Sequence, residues 1–501
     1  MTHILTLDAG TSGLKCSLFD ESGELLGARV ATYPTHYPKE GYAEQNCGDI
    51  ALAAIEAVKS LGETVSLKNV ACIGLTGTMN GCIPLDKHAN ALYPNMIHLD
   101  TRAVNEARAL EDTMGLMGYY RLSGNRPDVH YGLVKLMWLK ANAPEVYKNT
   151  AYAVNTKDFL YGFLTGIWGR TDYSDASLFG CMNIHTRAWD SDIISCAEID
   201  KNKLPELFPS TDISGRLSPE SANILGLTPG IPVSIGAGDG PATTHGSGVY
   251  DASGAYLTVG SSGWAAALSK TPLIDKNARI FNYTDIDENL VTVCGTVQCA
   301  ATALDYMLKN VLDITLPSGE IDFERAESMC LASPPGANGL YFVPTLMGER
   351  CPWWDPKARG VLMGLTLTHT RDDMVRAAYE GVAQEMRLCV SALRENGIAA
   401  KNLILSGGGM KSNIFRLILP SVLNAETRLQ TNSRQTTSLG AAIAAGVGAG
   451  VWKGFKEASE AVKKSEKYLP DPATVKKYEL QAQVFEKLYP LTRDAMHLCA
   501  E

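Results

Sequence analysis

The chain has 501 residues, of which 45% are hydrophobic and 20% are charged, proportions typical of a globular protein with two or more cores. Its formal net charge of -9 argues against nucleic acid or an anionic membrane as a partner, because either would need a basic face. Its twelve cysteines form no CxxC pair, and the start shows no secretory signal. We therefore expect reduced thiols in a cytoplasmic protein.

The first half of the chain alternates predicted strands and helices. Residues 1–33 are predicted to form three strands, with a turn at Ser22-Gly23 between the last two. Apolar spacing then predicts, in chain order, a helix over 49–60, strands over 70–76 and 82–85, helices over 102–114 and 133–142, a strand over 233–237 and a small-residue helix over 242–248.

After about residue 250 the strand–turn–strand pattern begins again. The second half has predicted strands over 340–343 and 403–405, a helix over 372–394 and a charged tail over 455–498 with helical periodicity. The apolar segment 439–451 is too short to span a bilayer and is predicted to be a packed helix. We expect an α/β protein of two similarly built domains, residues 1–248 and 249–501.

A near-repeat supports this duplication. Residues 7–13, LDAGTSG, return as residues 257–263, LTVGSSG, and each copy lies between two strand-like runs. Small hydroxyl residues in such a turn let backbone amides approach phosphate oxygens closely, although an ordinary hairpin turn is the alternative. Two matched turns favour a polyphosphate held between the halves. Only the first copy has an acid, Asp8, and this asymmetry suggests that it helps to place a metal.

Two further acids are candidates for chemistry. Asp239 lies between glycines at the end of a buried strand, where it could act as general base for a hydroxyl that attacks phosphorus; a structural helix cap is the alternative. Asp100 and Arg102 form either a surface salt bridge or, beside Met79 and Asn80, a set of donors and acceptors for a polyol.

The remaining motifs are less specific. Three glycines, 407–409, follow a predicted strand and indicate close approach either to an adenine ring or to another strand. The nine histidines form no cluster, so we expect no transition metal. The loop 349–354 has no assigned role.

Together these motifs resemble the FGGY family of carbohydrate kinases over nearly the whole chain. Residues 8–12 resemble the family's DxGT(T/S) phosphate motif, residues 236–239 its GxGD catalytic segment and residues 406–409 its adenosine-binding glycine turn. A long family signature also matches residues 360–365, 373–374 and 377–380. The combination is highly specific, whereas each piece alone is weak.

The resemblance implies an actin-like (ribonuclease H-like) ATPase fold, with a cleft between two duplicated domains and with ATP and Mg²⁺ as cofactors. Asp239 would be the base, and Asp8 would position the magnesium through a water molecule. The residues implied to hold phosphates or the nucleotide are Gly10, Thr11, Ser12, Gly260, Ser261, Ser262, Gly407, Gly408, Gly409 and Asn413. Those implied to bind the sugar are Thr78, Met79, Asn80, Asp100, Arg102 and Asp239.

Within the family the chain is most similar to the xylulose kinase branch. That branch has GQMHG and WxDxR where this chain has GTMNG at 77–81 and HLDTR at 98–102. The expected substrate is therefore a pentulose such as D-xylulose. Another ketose, a polyol, an autoinducer-2-like substrate, an actin- or chaperone-like ATPase and a non-catalytic sugar-binding relative remain open, as does a homodimer.

Overall fold

The computed structural model describes residues 2–430, 435–462 and 464–500, with only the backbone at 464–466. The strands of the first half are β1 (His3–Ala9), β2 (Gly13–Asp20), β3 (Leu25–Thr32), β4 (Glu44–Gln45), β5 (Val70–Gly77), β6 (Ile83–Leu85), β7 (Asn95–Met96), β8 (Tyr152–Val154), β9 (Arg170–Asp172), β10 (Met182–Asn183), β11 (Ala188–Trp189), β12 (Glu206–Phe208), β13 (Gly215–Arg216), β14 (Pro232–Val233) and β15 (Ala237–Gly238). Its helices are α1 (Cys47–Gly62), α2 (Val104–Met114), α3 (Leu116–Ser123), α4 (Gly132–Asn142), α5 (Pro144–Asn149), α6 (Thr156–Thr165), α7 (Tyr173–Phe179), α8 (Ser191–Cys196), α9 (Pro219–Leu225) and α10 (Asp239–Gly246).

The second half has strands β16 (Ala255–Val259), β17 (Gly263–Ser269), β18 (Phe281–Thr284), β19 (Val291–Val297), β20 (Tyr341–Val343), β21 (Val361–Met363), β22 (Asn402–Ser406), β23 (Glu426–Gln430) and β24 (Lys464–Tyr468). Its helices are α11 (Ala301–Tyr306), α12 (Phe323–Ala332), α13 (Arg371–Glu395), α14 (Asn413–Leu423), α15 (Thr436–Gly448), α16 (Phe455–Ser459) and α17 (Pro472–Cys499). Short 3-10 turns span Lys201–Lys203, Ala337–Gly339 and Gly408–Lys411, and a π-helical turn spans Met307–Val311.

Each half is built on a sheet with the same central connectivity. In the first, β1 is antiparallel to β2 and parallel to β5, and the order is β13-β14-β5-β1-β2-β3. In the second, β16 is antiparallel to β17 and parallel to β22, and the order is β18-β19-β17-β16-β22-β23-β24. The near-repeat therefore marks equivalent strand–turn–strand units, as predicted from the sequence.

Helices cover these sheets because their apolar residues recur with helical spacing. In α1, Ile50, Val58 and Leu61 are fully buried against the first sheet. In the second half α13 is buried along most of its length against β17, β19 and β20. These strands and helices confirm the alternation predicted from the sequence.

Two predicted elements differ from the structure. The predicted strand 233–237 is interrupted between β14 and β15, where Gly236 has a φ of +78° and a Cβ would lie 2.1 Å from the carbonyl oxygen of Leu75. The tail 455–498, predicted as helical, contains the strand β24, which pairs with β23 at the edge of the second sheet. Helical periodicity in the flanking α17 conceals this short strand.

One helix of the second half packs on the sheet of the first. Helix α15 contacts β1 and β5, and Leu439, Ile443 and Trp452 share a buried cluster with Ile4 and Cys72. The predicted packed helix over 439–451 is thus part of a core. Across the residues with described positions, no helix combines the length and the apolar character needed to cross a membrane.

Helices α10 and α15 cross in close contact. A Cβ at Gly440 would lie 1.7 Å from the carbonyl oxygen of Ala242, and one at Gly246 would lie 1.8 Å from that of Thr436. Only glycine allows the two backbones to come this close. The contact matters for the site because Asp239 is the first residue of α10.

Candidate active site

The two near-repeat turns occupy equivalent positions at the ends of β1 and β16. Gly10 N donates to Gly13 O (3.0 Å) and Gly260 N donates to Ser262 O (2.8 Å). The side chains of Ser12, Ser261 and Ser262 are exposed. In the second turn, Gly260 O accepts a hydrogen bond from the amide of Ala301, the first residue of α11, and Ser261 O accepts one from the amide of the preceding residue, Ala300, each 2.9 Å long. Backbone amides thus bind the carbonyl oxygens of Gly260 and Ser261. The exposed serine hydroxyls of both turns are accessible to a phosphate.

Asp8 lies in β1, two residues before the first turn. Its Oδ2 accepts a hydrogen bond from Ser438 Oγ (3.2 Å) and lies 3.8 Å from Lys15 Nζ. Burial raises the pKa of Asp8, and the positive charge of Lys15 partly offsets this effect. The residue is therefore a buried acid whose charge is supported from both halves of the chain.

Asp239 lies beside this acid. The strand β15 pairs with β5 through Gly238 and Gly77, which sets Asp239 next to Thr78. Burial, followed by the negative charge of Asp8, raises the pKa of Asp239 to about 7. The N-cap of α10 is Gly238, so Asp239 is not the cap residue. A carboxyl group with this pKa suits a general base at neutral pH.

Asp239 opens into a cavity of about 350 Å³ between the two halves. The first half contributes, among others, Thr11, Thr78, Met79, Asn80, His98 and Asp239. The second half contributes Trp264, Phe281, Tyr283, Cys294, Thr296 and Arg350, and α15 contributes Thr437. The volume and the mixture of aromatic and polar groups suit a small polar substrate. The cavity thus brings together Thr11, Asp239 and the predicted sugar residues Thr78, Met79 and Asn80.

Several polar atoms of the cavity lining lack a partner. Asn80 Oδ1, His98 Nδ1 and Thr296 Oγ1 are buried and form no hydrogen bond with any residue that the structure describes. Burial, with Lys135 as the next cause, lowers the pKa of His98 to about 4, so its ring is neutral at pH 7. Buried polar groups are normally hydrogen-bonded, so these atoms point to substrate hydroxyls as their partners. His98, Thr296 and Arg350 were not predicted as lining residues, because no local pattern marks them as substrate contacts.

A buried lysine holds the loops around this part of the cavity. The Nζ of Lys135 donates to the carbonyl oxygens of Asn80, Ile97 and His130, each at 2.7 Å. Asn80 has a φ of 68°, a conformation that this hydrogen bond to its own carbonyl helps to fix. Burial lowers the pKa of Lys135 to about 7. Lys135 thus positions Asn80 and the segment that carries His98.

Asp100 and Arg102 lie outside this lining. Asp100 is fully buried and accepts from Ala43 N (2.7 Å) and from Arg102 Nη2 (2.6 Å). Arg102 also donates to Glu44 Oε1 (2.6 Å) and stacks on the ring of Tyr42, 3.6 Å from its centroid. The structure therefore gives both residues protein partners, and their predicted contact with sugar stays a prediction.

A buried hydrogen-bonded network, which was not predicted from the sequence, contacts the backbone of Gly238 immediately before Asp239. Lys157 Nζ, fully buried, lies 3.0 Å from Asp172 Oδ1 and 2.6 Å from Asp158 Oδ1. Ser174 Oγ donates to Asp172 Oδ2 (2.5 Å) and accepts from Gly238 N (2.9 Å). Such polar side chains would normally be read as exposed, which is why the sequence did not reveal the network.

The predicted nucleotide residues lie beyond the second turn. A Cβ at Gly407 would lie 2.4 Å from Val259 O, and one at Gly409 would lie 2.8 Å from Val259 Cγ1, whereas one at Gly408 would meet nothing within 4 Å. Two of the three glycines are thus required by packing on β16, and Gly408 faces open space. Asn413 N and Nδ2 donate to Glu327, at 2.9 and 3.3 Å. Their contact with a nucleotide stays a prediction.

Comparisons with known proteins agree with this arrangement. Residues 3–246 match the N-terminal domain, and residues 255–449 the C-terminal domain, of the FGGY family of carbohydrate kinases. A xylulose kinase from Staphylococcus xylosus is 27% identical over 98% of this chain and 100% of its own. A gluconokinase from Bacillus licheniformis is 27% identical over 97% of this chain and 95% of its own.

The fold agrees as well. The structure of a ligand-bound xylulose kinase from Lactobacillus acidophilus superposes with a TM-score of 0.92 at 25% identity, covering 98% of this chain and 99% of that one. The prediction of an actin-like ATPase fold with two duplicated domains is confirmed. The chain belongs to the FGGY family of carbohydrate kinases and is an ATP-dependent sugar kinase.

Proposed function

We propose that this kinase transfers the γ-phosphoryl group of ATP to a hydroxyl group of a pentulose, with D-xylulose as the first candidate. The observation that carries the proposal is Asp239, which lines a cavity of about 350 Å³ and has its pKa raised to about 7. The xylulose kinases among the relatives support the choice of sugar. The gluconokinases among them make a sugar acid the second candidate.

In the proposed reaction Asp239 takes the proton of the attacking hydroxyl. The hydroxyl oxygen forms a bond to the γ-phosphorus, the bond from that phosphorus to the β–γ bridging oxygen breaks, and ADP leaves. A base of this kind contributes roughly 100- to 10,000-fold to the rate. The exposed hydroxyls of Ser12, Ser261 and Ser262 would bind phosphate oxygens from both sides of the cleft.

The residues around Asp8 fit a magnesium ion. Among the described residues no group of three or more His, Cys, Asp or Glu side chains could hold a metal. Mg²⁺ in kinases typically uses one or two carboxylates, with the remaining positions taken by water and substrate phosphates, and Asp8 beside Asp239 offers such a set. When bound, the ion would neutralise charge on the phosphates. Asp8 would hold it, and Ser438 would orient the Asp8 carboxylate.

ATP as the donor and twelve unpaired cysteines support the prediction of a cytoplasmic enzyme. The test of the function is an ADP-release assay with Mg-ATP against ketoses, aldoses, polyols and sugar acids. We expect D-xylulose to stimulate ADP release, and Asp239→Asn to abolish this stimulation. ADP release that no sugar changes would contradict the proposal and favour an ATPase without a sugar substrate.

A further inference from the structure

Arg350 has an unusual position, because it lines the sugar cavity and its guanidinium has no partner among the described residues. Asn80 and His98 line the same cavity. The guanidinium of Arg350 forms no hydrogen bond or ion pair with any residue in the described ranges, although it has five N–H donors. The inference below rests on the proposed function, since it concerns the substrate of the same cavity.

The backbone of Arg350 is held in place by a buried carboxylate. Glu349 Oε1 accepts hydrogen bonds from Arg350 N (2.7 Å) and from Gln298 N (2.6 Å). The backbone of Glu349 in turn exchanges two hydrogen bonds of 2.8 Å with that of Asp355. Glu349 is only 4% exposed, so the loop has a fixed base. Arg350 therefore projects from a positioned loop.

Each of the two acidic groups near Arg350 has one oxygen bound by another protein group, and Glu349 Oε2 forms no hydrogen bond with any described residue. Asp128 is close enough for Arg350 to help lower its pKa, but its carboxylate bonds to the ring and the backbone amide of His130. The Oε1 of Glu349 is occupied by the two backbone amides. No carboxylate in the described part of the chain lies within 4 Å of the guanidinium. The protein thus leaves this cation for another group to neutralise or to bind.

The polar groups that share the cavity with Arg350 indicate what that partner is. The unpartnered atoms of Asn80, His98 and Thr296 form a polar surface suited to hydroxyls, and Asp239 marks the end where phosphorus is attacked. A guanidinium binds best to two adjacent oxygen acceptors, because its N–H groups form a planar fork.

We propose that Arg350 binds the end of the substrate remote from the phosphorylated hydroxyl, and that it selects substrates with a carbonyl or carboxylate oxygen there, next to a second oxygen acceptor. The carbonyl and hydroxyl oxygens of a ketose and the carboxylate oxygens of a sugar acid share this chemistry. A polyol such as xylitol has no carbonyl or carboxylate oxygen at this end, so it gains less from Arg350.

The test compares Arg350→Ala and Arg350→Lys with the unmodified enzyme on D-xylulose, D-gluconate and xylitol. Loss of a charged hydrogen bond predicts that Arg350→Ala raises the KM of the preferred substrate roughly 10- to 100-fold. Arg350→Lys should recover little, because lysine keeps the charge without the fork. The KM for ATP and kcat/KM for xylitol should stay within about twofold. The substrate whose KM rises in Arg350→Ala, D-xylulose, D-gluconate or both, shows which oxygen pair Arg350 binds.

The matched control is Arg359→Ala, which removes an arginine of the same loop whose Nη1 donates only to the backbone oxygens of Pro356 and Ala358. We expect this variant to keep the KM for every sugar. If D-xylulose and D-gluconate kept an unchanged KM in Arg350→Ala, the role of Arg350 would be refuted while the kinase function stood. If the unmodified enzyme phosphorylated none of the sugars, the proposed function and this inference would both fail. Circular dichroism shows whether Arg350→Ala is folded. If Arg350→Ala does not fold, the same KM comparison is made with Arg350→Lys.

Discussion

The hydroxyl of Ser174 accepts a hydrogen bond of 2.9 Å from the backbone amide of Gly238, the residue immediately before Asp239. The same hydroxyl donates to Asp172, which pairs with the buried Lys157. The proposed general base, Asp239, is thus fixed through its own main chain by residues that do not line the cavity. This arrangement makes Ser174 a positioning residue.

We expect Ser174→Ala to lower kcat by about tenfold, because one lost hydrogen bond leaves a buried amide without an acceptor. The KM for sugar should change by less than about twofold, because the cavity lining is unaltered. The matched control is Ser210→Ala, since Ser210 donates to the same Asp172 oxygen at 2.7 Å without contacting Gly238 through its hydroxyl. Equal losses of kcat in the two variants would show that Ser174 acts only through stability.

The rate should depend on pH through Asp239. Because its pKa is raised to about 7, the carboxyl group is increasingly protonated below this pH and cannot accept a proton. We expect kcat/KM to rise with pH and to level off above about pH 7, with roughly a tenfold loss for each pH unit below it. The measurement is a pH–rate profile at saturating ATP. The profile should be scanned from about pH 5.5 to about pH 8, and a flat profile over this range would argue against Asp239 as the base.

The same residue should destabilise the folded protein at high pH. A carboxyl group whose folded pKa lies above its unfolded value binds its proton more strongly when folded, so stability decreases as pH rises between the two values. We expect Asp239→Asn to raise the melting temperature at pH 8 and to have little effect near pH 4. An equal change at both pH values would contradict the burial of this charge.

Arg102 offers a test of the predicted sugar contact. Its guanidinium bonds to Asp100 and Glu44 in a buried cluster, so Arg102→Lys should lower the free energy of unfolding by about 2–4 kcal/mol. Denaturant unfolding measures this loss. A raised KM for sugar with unchanged stability would instead support direct contact between Arg102 and the substrate.

The glycine turn offers a matched pair of variants. Gly408→Ala has room for its methyl group, so the protein should keep its stability, and a raised KM for ATP would place the nucleotide against it. Gly409→Ala brings a Cβ within 3.0 Å of Val259 O and should lower stability instead. Thermal unfolding and ATP kinetics on both variants separate the two effects. An unchanged KM for ATP in Gly408→Ala would contradict the predicted adenine contact.

The sequence predicted the parts of the site that depend on local patterns. The two turns and Asp239 follow buried strands, Asp8 lies near the end of one, and their positions could be read from strand–turn spacing. The places of Arg350 and His98 in the cavity and of Ser174 beside Gly238 could not be predicted, because each depends on how distant segments pack together. Asp100 and Arg102 were predicted to contact the sugar from the motif that contains them. The sequence did not indicate that Glu44 and Tyr42 would pack against Arg102, because both lie more than fifty residues away.

The packing of α15 on the first sheet has a consequence for synthesis of the chain. The cover of Ile4 and Cys72 includes Leu439, Ile443 and Trp452, and the oxygen of Asp8 is bound by Ser438. A ribosome releases these residues only when most of the protein has been made. The sheet of the first half therefore stays incompletely covered until nearly all of the second half has been synthesised. This face of the first sheet lacks part of its apolar cover until residue 452 has emerged.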